Sequence, residues 1–179
     1  MKQEKEVKVG NGYAMLLVVL LFIAITAVGI ILFRNPLFLL MIPVILLMLR
    51  GFFTVNPNSS KVLVLFGAYK GTVKDNGFFW ANPFFTRQKI SLRARNFDSE
   101  RVKVNDKIGN PILINVILVW KVENTFKAAF DVDNYVEFVR VQTDAAVRKL
   151  AGSYPYDNFD DEQAELTLRS GMDEVNDAL

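Results

Sequence analysis

Residues 13–33 read YAMLLVVLLFIAITAVGIILF, 21 consecutive positions without a charge. At about 1.5 Å of rise per residue, a helix of this length spans roughly 30 Å, the thickness of a bilayer's hydrocarbon core. A cleavable signal sequence does not fit, because its apolar part would run for about 7–15 residues and end in small residues. Here the run is longer and ends in Phe33-Arg34-Asn35-Pro36. A buried core helix does not fit either, since a chain of 179 residues has too little other apolar surface to cover it on every side. The segment is read as crossing a membrane.

Beyond Pro36 the apolar run resumes as LFLLMIPVILLML, 13 residues from 37 to 49 with Pro43 in the middle. Thirteen residues are short for a crossing unless Arg50 snorkels and Gly51, Phe52 and Phe53 extend the apolar length. Two arrangements satisfy this: two spanning helices joined by a tight turn, or a hairpin whose second arm is short and kinked. Both return the chain to its starting side. Lys2, Lys5 and Lys8 precede the first segment, Arg50 and Lys61 follow the second, and Arg34 alone lies in the turn. The positive-inside rule then places residues 1–12 and everything after 53 in the cytoplasm. A single crossing, with the second segment lying in the interface, would instead put the soluble part outside.

Composition narrows the chemistry. The 21 Lys and Arg against 19 Asp and Glu give a net charge of +2, too weak a bias for nucleic-acid binding. The chain has no Cys and no His, which removes disulfides, thiolate nucleophiles, imidazole bases and the usual zinc sites. No cofactor or metal is expected. Asp157, Asp160 and Asp161 are read as acids at a helix start, which need no ion. Ser153 and Lys149 stand four apart on one expected helix, but nothing around them suggests an activated lysine. The expectation is a protein that is not an enzyme.

From residue 56 the pattern becomes that of a soluble α+β domain. Residues 61–66, KVLVLF, read as a strand, 67–71 as a turn, and 88–96, QKISLRARN, as a strand that alternates Ile90, Leu92 and Ala94 against Lys89, Ser91, Arg93 and Arg95. Residues 101–104 form another. Residues 112–122, ILINVILVWKV, read as the longest, and Leu113, Ile117 and Val119 on its second face imply that both faces are covered. Helices are expected at 125–130 and at 134–151, the latter with Tyr135, Phe138, Val139, Ala145, Ala146 and Leu150 toward the core. A last helix starts at Asp160. Strands followed by helices indicate α+β rather than alternating α/β. Removing residues 1–55 is expected to release a folded soluble domain.

The order of these segments resembles the SPFH or Band 7 family, which includes stomatin, prohibitin, flotillin and the HflK/HflC proteins. The carriers are the Gly-aromatic-x-x-x-Pro-Phe stretch from Gly77 to Phe84, the turn DKIGNPI at 106–112 and the helix around Tyr135 to Leu150. The resemblance covers roughly residues 55–179 and is closest to bacterial membrane-anchored members. It implies a transmembrane helical hairpin (13–33 and 37–53), an SPFH domain of antiparallel strands with packed helices (56–157) and the start of a coiled-coil helix (158–179), which is expected to continue beyond Leu179. It further implies an oligomeric scaffold at the bacterial inner membrane, assembling as a ring or cage. Such a scaffold organises membrane microdomains and regulates partners such as FtsH- or NfeD-type proteases. The alternative is a subunit of a membrane protease complex with its own catalytic role.

Two surface features stand out. The stretch NGFFWANPFF at 76–85 combines turn residues with five large aromatics. They either fill the small β-core or rest in the leaflet beside the anchor. Phe78, Phe79 and Phe85 are assigned to membrane contact and the rest to the core. Arg87, Lys89, Arg93 and Arg95 form a basic row, either a solvated strand face or a contact to anionic headgroups or to a neighbouring subunit.

Overall fold

The computed structural model describes residues 4–33, 36–157 and 167–168. The expected C-terminal helix from Asp160, with Asp160 and Asp161 themselves, lies outside the described residues, apart from Thr167 and Leu168. The chain divides into two compact units, one formed by residues 1–93 and 122–131 and the other by 94–121 and 132–179.

In the first unit a two-residue strand, β1 (Gly10–Asn11), leads directly into α1 (Gly12–Phe33). A 3₁₀ segment (Pro36–Leu40) and α2 (Met41–Leu49) run back. Gly29 of α1 lies so close to the Phe38 ring that a Cβ there would collide with it. Pro43 falls in the first turn of α2, where backbone N–H groups lack helical acceptors anyway. The returning arm is the shorter, roughly 23 Å against roughly 33 Å for α1. Among the described residues, α1 is the one helix long and apolar enough to cross a membrane.

The strands then follow as β2 (Phe52–Val55), β3 (Ser59–Leu65), β4 (Ala68–Val73), β5 (Gly77–Trp80) and β6 (Phe85–Ser91). They make two three-stranded sheets, ordered β1-β5-β2 and β4-β3-β6. Phe53, Val55, Leu63, Val73 and Ala81 form the core between them. The folded unit thus begins ahead of residue 56, since Phe53 and Val55 are core residues of β2. The short helix α3 (Thr125–Phe130) closes the unit, with Asn124 Oδ1 accepting from Lys127 N at 3.0 Å as its cap.

Residues 4–9 would pass for a solvated tail, yet they are built into this unit. Thr72 N donates to Lys5 O at 2.8 Å and Val7 N donates to Thr72 O at 3.1 Å. Gly71, at φ +152°, gives Val7 room that any Cβ would take. Glu4 accepts from the Thr125 backbone N–H and hydroxyl, and Lys74 Nζ lies 3.1 Å from its other oxygen. Burial pushes the Glu4 carboxyl up, but the Thr125 and Lys74 hydrogen bonds outweigh it and hold it below its ordinary value.

The second unit contains β7 (Arg95–Asp98), β8 (Val102–Asn105), β9 (Pro111–Ile114), β10 (Ile117–Trp120) and α4 (Tyr135–Ser153). β7 pairs with β10 and β8 with β9. Two single strands expected from alternation are therefore each two strands. The 88–96 run breaks after Ser91, and the 112–122 run breaks at Asn115-Val116, where Ser99 Oγ accepts from Val116 N at 2.8 Å. Coverage of both faces of 112–122 is also corrected: Leu113, Ile117 and Val119 are 66%, 68% and 64% exposed. On α4 the buried face is Thr143, Val147 and Ala151, so Phe138, expected inward, is instead half exposed.

Asp106 organises the turn at the end of β8. Its carboxylate accepts from Ile108 N at 3.0 Å, Asn110 N at 2.7 Å, Asn110 Nδ2 at 3.2 Å and Tyr156 N at 3.1 Å. Burial raises its pKa, but these donors outweigh burial and hold it below the ordinary carboxylate value. The resulting stabilisation is present above about pH 4 and is lost as pH falls through the lowered folded value. Asp106→Ala is expected to lose hydrogen-exchange protection at the amides of Ile108, Asn110 and Tyr156 at neutral pH. Unchanged protection would remove this role.

Candidate membrane-facing site

Half of the aromatic stretch at 76–85 proves to be strand, as Gly77–Trp80 and Phe85. β5 is the middle strand of its sheet, with Gly10 and Phe52 both opposite Trp80, and Asn11 and Phe53 both opposite Phe79. Phe78 is half-buried, stacked on Phe52 at 5.3 Å and edge-on to Tyr13 at 5.3 Å, at the foot of α1. Phe79 and Phe85 are half-buried against the core. Asn82 makes the following turn, its Oδ1 accepting from Phe84 N at 3.0 Å and its carbonyl from Phe85 N at 3.0 Å.

Other aromatics in or near this stretch project further. Phe66 is 83% and Phe84 53% exposed, with ring centroids 6.0 Å apart. Phe66 and Gly67 form the two-residue β3–β4 turn, both with positive φ (48° and 82°). Such a turn favours Asn-Gly, and an aromatic there costs about 1–2 kcal/mol of backbone strain. Phe66 thus stands against the local preference of its turn.

The basic row does not act as one row. Arg87 donates to the carbonyls of Arg50 (3.0 Å), Gly51 (3.1 Å) and Phe52 (3.2 Å), so its cation closes the C-terminal end of α2. Lys89 and Arg93 are exposed in the same unit. Arg95 belongs to the other unit, where it lies 5.7 Å from the Trp120 ring and 5.5 Å from that of Tyr135, and donates to the Tyr135 hydroxyl at 3.3 Å. In place of the row, Arg50 and Lys61 join Arg87 and Lys89 near the foot of the hairpin. Ser153 Oγ donates to the Lys149 carbonyl at 2.8 Å, so the hydroxyl is turned to its own helix.

The sequence profile of the SPFH domain / Band 7 family matches residues 53–175. The chain belongs to this family. No curated protein matches it. The matched stretch begins at Phe53, on β2, and so takes in the core strand that precedes residue 56. An apolar α1 and a strand-rich SPFH domain together mark the protein as membrane-associated.

Proposed function

We propose that the protein is a membrane-anchored, self-assembling scaffold of the bacterial inner membrane, with no catalytic role of its own. It organises membrane microdomains and regulates membrane partners such as FtsH- or NfeD-type proteases. The observation that carries this reading is the weave of residues 4–11 into the sheets that follow the hairpin. That β1 and β2 flank the same strand supports a hairpin whose arms α1 and α2 enter and leave the bilayer on one face, with the sheets that follow on that side. The Lys residues of the tail and Arg50 support the cytoplasm as that face. Phe66 and Phe84 then point into the leaflet beside the anchor.

Self-assembly draws support from the exposed apolar residues Leu113, Ile117 and Val119, with Val136, Phe138 and Val141 also exposed on α4 in the same unit. An apolar surface of this kind marks a protein contact, and a second copy of the chain is the occupant proposed here. Mass measurement of the full chain in lipid nanodiscs or detergent is expected to give a high-order oligomer. Ile117→Lys with Val119→Lys is expected to reduce it to small species without loss of folding. A wild-type monomer across the accessible concentration range would refute the scaffold.

A further inference from the structure

Between the end of α2 and the turn before β6 lies a cleft of about 700 Å³, lined by Leu47, Arg50, Pro83, Phe84, Thr86 and Arg87 among others. One wall is apolar and continues the membrane hairpin through Leu47. The other wall is cationic. Arg87 spends its terminal nitrogens on three carbonyls, and its Nε is buried without an acceptor. Its charge is fixed there by the fold, with neutral partners only.

More cations gather around it. Lys61 and Arg87 lie 5.2 and 4.9 Å from the Phe53 ring. Burial, with repulsion from Arg87 and Lys89, pulls the Lys61 ammonium below its ordinary value, and burial with repulsion from Arg50 does the same to Arg87. Among the described residues no carboxylate pairs with Arg50, Lys61, Arg87 or Lys89. Unbalanced cations at the foot of a membrane hairpin are stabilised by an anion supplied from outside the chain. The apolar wall selects which anion, because a free phosphate would leave Leu47, Pro83 and Phe84 uncovered.

We propose that this cleft binds the phosphate of an anionic phospholipid, held by Arg50 and the Thr86 hydroxyl, with the acyl chains along Leu47 and Phe84. The site rests on the anchored reading above and gives it lipid selectivity. It tethers the SPFH domain at a defined height on the leaflet.

The test uses the full chain in nanodiscs of phosphatidylcholine containing a minor share of phosphatidylglycerol. After release, native mass spectrometry reads which lipid stays bound. Phosphatidylglycerol is expected to be retained by the wild type and by Lys121→Gln, and weakened about fivefold or more by Arg50→Gln, as befits one charge at the surface. Added inorganic phosphate is expected to leave the lipid in place. Arg87→Gln also strips the cation from the end of α2, so Arg50→Gln, an exposed side chain, carries the comparison. Equal retention by Arg50→Gln, equal retention of phosphatidylcholine, or displacement by inorganic phosphate overturns the site. A chain that enters nanodiscs but holds no selected lipid refutes the site alone. One that never enters them refutes the anchor as well.

Discussion

A fragment beginning at Asn56 is expected not to fold, although its sequence holds most of the strands and the whole of α4. It lacks Phe53 and Val55, which are 6% and 3% exposed in the core. Burying such side chains contributes about 1.5–3 kcal/mol each, so the loss is roughly 3–6 kcal/mol against a typical domain stability of about 5–15 kcal/mol. The fragment also loses both neighbours of β5 and the Glu4 contacts to α3 and Lys74. Circular dichroism and amide NMR spectra of an unfolded chain are expected. A second fragment, residues 4–11 joined by a flexible linker of about eight Gly and Ser residues to 51–179, is expected to fold. β1 and β2 lie only about 10 Å apart across β5, within the roughly 16 Å average reach of such a linker. Native dispersion from the fragment starting at Asn56 would show that the tail and β2 are accessory.

The second large effect is expected at Trp80, where the hairpin meets the sheet. Its Nε1 donates to the Met48 carbonyl at 2.9 Å, and its ring packs under Gly51, at which any Cβ would strike the indole and the Ala81 carbonyl. Trp80→Ala removes a half-buried ring from this junction and is expected to cost about 3 kcal/mol in thermal unfolding of the detergent-solubilised chain. Trp80→Phe keeps most of the packing and loses only the hydrogen bond, about 1 kcal/mol. If both variants melt with the wild type, the hairpin and the sheet are not mechanically joined at this point.

The long apolar helix α1 was legible because 21 uncharged residues in a row suit one continuous helix, and the returning segment begins at the Pro36 that interrupts the apolar run. Both short-range helix starts were legible for a similar reason: Asn124 and Asn134 are good caps, and each accepts from the first turn it precedes. What alternation did not reveal was where a strand changes partner. QKISLRARN and ILINVILVWKV keep their period across breaks that are set by pairing with distant residues, β6 with β3 and β7 with β10. Alternation also could not tell a face covered by its own chain from one left open, as at Ile117 and Val119. The tail escaped notice because Lys and Glu dominate it. Its one signal was Glu6-Val7-Lys8-Val9, an alternation too short to weigh alone. In the candidate site, aromatic richness singles out 76–85, but it does not say which rings the fold leaves exposed. Phe78, Phe79 and Phe85 pack against neighbours, whereas Phe66, in a turn of positive φ, is the most exposed aromatic among the described residues.

The proposed arrangement puts residues 4–11 and the SPFH domain on one face of the membrane. The absence of cysteine makes it directly measurable, since any introduced thiol is unique. Lys8→Cys in the tail, Asp75→Cys in the domain and Arg34→Cys in the hairpin turn would be placed singly in the full chain. Sealed inverted and right-side-out membrane vesicles would then be treated with a membrane-impermeant maleimide. Lys8→Cys and Asp75→Cys are expected to label together in inverted vesicles only, with Arg34→Cys not sharing their pattern. Labelling of Lys8→Cys and Asp75→Cys from opposite faces would overturn the shared face.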